Sequence, residues 1–384
     1  MARPGAGGYA GGIAVGIQPR RGDSGGAMDR TVNGWAVVTT GPRSRVRDVA
    51  KGLALAAFVG ATAVAPDVGA EIFVTNDSSS SVTVYAGTAN GNQSPARQIT
   101  GLTDTPRGIA ADTVNGEILV ATQSGTLFVY SINANGAAST LRTITGGNDF
   151  QGVHVDTVNN EIFIADRGDS SIRVYARTDS GAAVPLRTVD VGAEPRGVFV
   201  DTVANELVVT VPDRVLVYSR TATGAAATLR DITWSTPPGD LSQVFVDRAN
   251  DEIVVANHGS SAIRVWSRTA SGDVAPLRSI IGASTLLDSP RGVAFCPGTN
   301  EYVAAARNND LLTTYSRTAV NDVPPQRTIS GPATQLSSPR FLAVTGSCSA
   351  IASVSVPATD TSALLVLLAL LGLAGMFQLH RRRT

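Results

Sequence analysis

Near-copies of one fifteen-residue stretch constrain this chain more than any other feature. The stretch PRGVFVDTVANELVV begins at Pro195, and close copies begin at Pro106 (PRGIAADTVNGEILV) and Pro290 (PRGVAFCPGTNEYVA). Altered versions begin at Gln151 (QGVHVDTVNNEIFI) and Ser242 (SQVFVDRANDEIVV). Aligned on the glutamate that follows the shared stretch, six units start at Glu71, Glu117, Glu161, Glu206, Glu252 and Glu301, with spacings of 46, 44, 45, 46 and 49 residues. A fixed period of this size overrides the two or three domains that 384 residues would otherwise suggest.

Each unit holds four short β-type runs. In the third these are EIFIA (161–165), SIRVYA (171–176), PLRTVDV (185–191) and RGVFVD (196–201). Val and Ile alternate with other residues, Gly, Asn and Asp punctuate the runs, and no segment has a helical period. Four strands per unit predict an all-β, six-bladed β-propeller of four-stranded blades. The strand opening on PRG precedes the EI strand within a blade. The first EI strand, at Glu71, has no such strand before it, and the last PRG-like strand, PRFLAVT (339–345), has no EI strand after it. The C-terminal strand is therefore expected to join the N-terminal blade, removing free sheet edges.

Two positions recur in every unit. The second strand of the run ends on Tyr85, Tyr130, Tyr175, Tyr218, Trp266 or Tyr315, and the third opens on Arg97, Arg142, Arg187, Arg230, Arg278 or Arg327. The aromatics are expected to fill the wedges between blades. The arginines are expected to pair with the repeated glutamates or to cap strand ends.

The termini read as export signals. Residues 43–51 (RSRVRDVAK) are basic, 52–64 (GLALAAFVGATAV) are apolar, and VGA at 68–70 supplies small residues, which is the layout of a secretory signal peptide cleaved between Ala70 and Glu71. Residues 1–27, before Met28, read as an over-extended start. The expected organisation is a removed segment 1–70, a propeller over 71–348, a linker over 349–361 and a C-terminal segment over 362–384. In that last segment SALLVLLALLGLAGMFQL (362–379) suits a short transmembrane helix, and Arg381, Arg382 and Arg383 would stay cytoplasmic.

The pattern P-x-G-I-x-V-D, then N-x-I-x-V-A and I-x-V-Y, resembles the NHL-type six-bladed propeller repeat over 71–345. It departs from that repeat in a longer outer hairpin, such as SRTASGDVAPLRSI (267–280). VPATDTS (356–362), the apolar run and the arginines together resemble the IPTL/PEP-type C-terminal sorting signals of Gram-negative bacteria. The core reads Val356-Pro357-Ala358-Thr359 and lacks the usual Trp. That resemblance implies a handle removed by a membrane peptidase after export; the alternative is a permanent anchor. Both place the propeller outside the cytoplasm, at the cell surface, extracellular, or anchored facing the periplasm.

Cys296 and Cys348 are the two cysteines of the chain. Cys296 stands where other repeats carry the turn aspartate, Cys348 lies three residues past the equivalent place in the next blade, and export favours a disulfide between them. Formal net charge is zero, which gives no reason to expect nucleic acid as a partner. Lys51 is the one lysine, so cleavage at Ala70 would exclude Schiff-base chemistry.

Because repeated positions hold the scaffold, function is expected where equivalent positions differ. Antiparallel pairing puts the start of the first strand and the end of the second at one mouth. The starts give Arg107, Arg196, Arg291 and Arg340, and the ends give Asn76, Asp77, Asp166, Asn257 and His258 among others. These are the candidate ligand-binding residues. His154, inside an inner strand, is expected to be an interblade core residue. Two functional readings follow. The first is a binding or structural module for a surface protein, a polysaccharide or a small ligand, with no cofactor, using the mouth or, as a further possibility, the outer hairpins as its contact surface. The alternative is a calcium-dependent, lactonase-like hydrolase, with Asp77 and Asp166 as oxygen ligands to Ca2+. No GxSxG, HExxH or P-loop motif is present.

Overall fold

The computed structural model describes residues 69–234, 239–346 and 348. The signal-peptide segment up to residue 68, the linker and the C-terminal apolar run lie outside the described residues. Among the described residues no helix is long and apolar enough to cross a membrane.

The chain is an all-β, six-bladed propeller. Each blade is an antiparallel meander, shown by the third: inner strand Phe150–Asp156, then Glu161–Asp166, Ser171–Ala176 and outer strand Arg187–Asp190. In the first blade the inner place is taken by Pro339–Val344, which pairs antiparallel with Glu71–Asn76. The ring closes as expected, by the last strand completing the first blade.

The core consists of wedges between blades rather than one central mass. Val and Ile of one sheet face the next, and Tyr85, Tyr175, Trp266, Tyr302 and Tyr315 are almost wholly buried there. Bulky aromatics suit this place because adjacent blades diverge outward, and Tyr85 and Tyr315 donate to the Thr334 and Thr285 carbonyls.

The repeated arginines pair with the repeated glutamates of their own blades: Arg97–Glu71, Arg142–Glu117, Arg187–Glu161, Arg230–Glu206, Arg278–Glu252 and Arg327–Glu301. They also cross to the next blade, as where Arg142 donates 2.7 Å to the Arg177 carbonyl and Arg187 3.1 Å to the Arg220 carbonyl. Arg177, Arg220 and Arg317 return the contact to Glu117, Glu161 and Glu252. One repeated pair thus ties strand to strand and blade to blade.

The longer outer hairpins act as latches. Gly136, Gly181, Gly224, Gly272, Asn321 and Gly91 each pair in parallel with the outer strand of the preceding blade. Outer-strand edges would otherwise expose free N–H and C=O groups, and this strap covers part of each. In the fourth blade the strap is regular enough to form a fifth strand, Gly272–Asp273.

Cys296 and Cys348 form the expected disulfide, with a Cα–Cα distance of 5.3 Å and a sequence separation of 52. In the second to fifth blades the position of Cys296 holds an aspartate that caps its own turn, as Asp156 does by accepting the Val158 and Asn159 N–H groups at 3.0 and 2.9 Å. The sixth blade gives up that cap for a covalent clamp beside the closing strand.

Candidate functional site

The inner strands converge on the axis, and the third residue of each sets how closely. In four blades this is glycine: Gly108, Gly152, Gly197 and Gly292. A Cβ built on Gly197 would lie 2.5 Å from the Ser242 carbonyl oxygen and 2.9 Å from the Val244 nitrogen, both backbone atoms of the next blade. Gly152 donates its N–H to the Arg196 carbonyl at 2.8 Å, so inner strands also hydrogen-bond around this neck. Gln243 replaces glycine in the fifth blade and reaches to the first, donating 2.7 Å to the Leu342 carbonyl while accepting from the Leu342 and Val293 N–H groups.

Next to the neck, at the mouth, four arginines start inner strands, as the alignment predicted: Arg107, Arg196, Arg291 and Arg340. Arg307 and Arg167 join them from the ends of second strands. Asp77 Oδ2 takes three of these guanidiniums, Arg107 at 3.0 Å, Arg307 at 3.1 Å and Arg340 at 3.2 Å. Burial alone would raise the Asp77 carboxyl, but Arg340, Arg107 and Arg307 overcome it and hold it below the usual carboxylate range. A second centre is Asp240. Its Oδ1 faces Arg196 at 3.3 Å, and its Oδ2 faces Arg291 at 3.3 Å and His258 Nδ1 at 3.2 Å. The His258 hydrogen bond first, then Arg196 and Arg291, pull the Asp240 carboxyl down to about 2 against the effect of burial. Arg291 also meets His258 Nε2 at 3.2 Å.

The two centres are unequal in depth. The Asp77 side chain is 12% exposed and the Asp240 side chain 27%, and exposure rises from 6% at Arg340 to 31% at Arg307, so the collar forms a funnel. Burial, followed by the like charges of Arg107 and Arg291, drives Arg340 down to about 9. Arg340 also donates 3.1 Å to Gln151, whose amide donates in turn to Asp149, and Asp149 pairs with Arg167.

The remaining candidates have local roles. Asn76 donates to Thr83 Oγ1 at 3.0 Å and accepts from the Ser337 N–H. Asn257 accepts from the Ser260 N–H at 3.2 Å. Asp166 accepts from the Asn148 and Asp149 N–H groups and from Arg173 at 2.8 Å. Asp77, His258 and the four arginines therefore face one another around the mouth, while Asn76, Asn257 and Asp166 fasten turns. Both oxygen ligands suggested for Ca2+ are engaged by cationic or N–H donors, and among the described residues no group of three or more His, Cys, Asp or Glu is placed to hold a metal ion.

Asp149 and Asp240 escaped the reading of the repeat, although a signal exists. Only the third and fifth blades lack the PRG arginine, carrying Gln151 and Ser242, and each has an aspartate two residues earlier. The charge forfeited at one position is replaced by the opposite charge beside it.

Inward of the neck lies a cavity of about 170 Å³. His154, Phe199, Phe245 and Phe295 line it from four consecutive blades, with ring centroids 4.5, 5.4 and 6.0 Å apart in succession. Ala110 and Ala343 complete the wall from the other two blades. His154 is thus an axial lining residue rather than the interblade core residue expected. At this position the inner strand faces the axis, not a neighbouring sheet. Enclosure by protein pushes its pKa down to about 4. A depressed histidine pKa means that the unfolded chain takes up the proton first as pH falls, so stability is lost between about 6.5 and 4. We expect wild type to lose about 2 kcal/mol more than His154→Phe between pH 7 and 4.5, less than the full shift because the ring is partly open to the cavity. Denaturant unfolding of both at the two pH values measures this, and equal losses would refute it.

In sequence the chain matches no family model and no curated protein. In structure it is similar to a chain of a nidogen/laminin complex, with TM-score 0.55 and 14% identity, covering 73% of this chain and 99% of that one. The β-propeller domain of Myceliophteria thermophila Cps50 (Swd1) and the WD40 propeller of Doa1 give TM-scores of 0.48 and 0.49 at 13% and 10% identity, covering 68% of this chain and 82% and 80% of theirs. The likeness to the nidogen/laminin chain establishes the fold class, a closed six-bladed propeller, and leaves function to the site.

Proposed function

We propose that the protein is an exported propeller of NHL type that binds a ligand at its mouth, at the cell surface or in the extracellular matrix. Its ends serve as a cleaved signal peptide and a C-terminal sorting handle or anchor. One observation carries the binding reading. Elsewhere the repeated charges are used up in pairing blade with blade, whereas the mouth gathers six arginines, four from the starts of inner strands and two from the ends of second strands, around three carboxylates. The disulfide fits an oxidising compartment. We favour this module over a calcium-dependent hydrolase because Asp77 and Asp166 are already occupied by arginines, which repel a cation.

The test is an array of glycans and of acidic, neutral and basic peptides probed with the full-length protein, with Arg196→Gln/Arg291→Gln, and with Arg214→Gln on the outer part of the fourth blade. Binding that is lost in the mouth variant and kept in the outer one supports the reading. Binding equally strong in all three places recognition elsewhere.

A further inference from the structure

The mouth carries an excess of positive charge beyond the needs of its own ion pairs. Six arginines (Arg107, Arg167, Arg196, Arg291, Arg307 and Arg340) surround the buried or half-buried carboxylates of Asp77, Asp149 and Asp240, with Glu194 further out at 54% exposure. Three of the guanidiniums converge on a single oxygen, Asp77 Oδ2, so one negative charge is shared among three positive ones.

Crowding of this kind is unfavourable in a site shielded from water. Arg291 and Arg340 are among the most enclosed of these side chains, and each lies within the field of other arginines: Arg196, Arg307 and Arg107 for the first, Arg107 and Arg291 for the second. The Nε–H groups of Arg107, Arg196, Arg291, Arg307 and Arg340 are buried and donate to no acceptor in the protein, as is also true of scaffold arginines such as Arg142, so it is the shared carboxylates that set the collar apart. Arg340 is 5% exposed at the base of the funnel, and such a buried donor remains uncompensated until an acceptor reaches it.

The glutamate–arginine pairing that ties blade to blade does not use these side chains. Outer-blade arginines meet glutamates in bidentate pairs, as Arg142 does with Glu117. The collar arginines share their carboxylates instead, three of them meeting at Asp77 Oδ2 and two at Asp240. Planar guanidinium forks match the geometry of carboxylate and phosphate oxygens.

We propose that the arginine collar is a receptor site for a small oxyanion bearing more than one negative charge, a polycarboxylate or a phosphate. This rests on the reading of the mouth as the ligand site. The ligand would enter between the Asp77 and Asp240 centres, with Arg291 and Arg340 as its principal forks and Arg196 and Arg307 at the open side. Gln243 crosses at the neck and marks the floor of the site. The polarity also separates this site from the aromatic cavity beyond, which offers one enclosed histidine and no cation.

Titration calorimetry of the full-length protein in low-salt chloride buffer tests this, with citrate and inorganic phosphate as probes and acetate as the monovalent control. At least one multivalent probe is expected to bind about tenfold or more tightly than acetate, and to weaken as sodium chloride is raised. Arg291→Gln and Arg340→Gln are expected to lower that affinity about tenfold, Arg291→Lys to lower it less, and Arg214→Gln to leave it unchanged. Preference for citrate assigns a polycarboxylate, and preference for phosphate assigns a phosphorylated ligand. Thermal unfolding of each variant separates a lost contact from a lost fold, and Arg291→Lys keeps the charge if Arg340→Gln fails to fold. Absence of saturable binding by either multivalent probe overturns the anion proposal. If mouth variants still abolish a neutral ligand found on the array, the mouth reading survives without it. If they change no binding at all, both readings fall.

Discussion

Breaking the Cys296–Cys348 disulfide is expected to destabilise the propeller by about 4 kcal/mol, the largest single effect we predict outside the wedges. The chain-entropy treatment gives this figure for a loop of the size closed here, 52 residues of sequence separation. Location adds to it. Cys296 ends the inner strand of the sixth blade, and Cys348 follows the strand that completes the first, so the bond spans the seam where the two ends of the ring meet. Chain crosses this seam from Ile329 to Pro339 as it does the others, but the closing strand joins the rest of the first blade only through its pairing with Glu71–Asn76, and the disulfide fastens its end to the sixth blade. Denaturant unfolding of Cys296→Ser/Cys348→Ser against the oxidised wild type measures the effect. A change below about 1 kcal/mol would mean that pairing of Pro339–Val344 alone holds the seam.

The second large effect falls at the neck. Gly197→Ala is expected to cost about 3 kcal/mol or more, the upper range for overpacking, because the added methyl meets backbone rather than movable side chains. The Ser242 carbonyl oxygen at 2.5 Å and the Val244 nitrogen at 2.9 Å belong to the next inner strand, and Thr210 Oγ1 sits 2.8 Å away on the same blade. That hydroxyl accepts from the Gly197 N–H at 2.8 Å and donates to the Ser242 carbonyl at 2.5 Å, so it has no freedom to yield. Gly136→Ala, at a hairpin with open space about the Cβ, is the comparison, since its penalty comes only from its backbone angle. Equal losses at both positions would show that neck spacing is not the constraint.

Much of the architecture is legible before any coordinates. The period of the glutamates, the orphan strand at each end of the repeat and the cysteine in an aspartate position together specify blade number, closure and the disulfide. This works because a repeat must satisfy the same local chemistry each time, so strand, turn and pairing signals are written six times over. Recognition of the mouth arginines followed from antiparallel geometry alone.

Other features depended on which blades become neighbours. Alternate side chains of a strand face opposite ways, and a linear reading does not say whether one of those ways is a neighbouring sheet or the axis. His154 was assigned to the wrong one for that reason. Asn76, Asp166 and Asn257 end their strands at one equivalent position and bond to adjacent backbone N–H groups and side chains, whereas Asp77, Arg167, His258 and Arg307, one residue further on, face the mouth. The latch made by each outer hairpin on the preceding blade was likewise not legible, because it depends on which outer strand lies alongside. The sequence by itself determined the scaffold, because its forces are local and repeated. The tertiary structure decided the site, because its charges come from different blades and act on one another only where the ring brings them together around the axis.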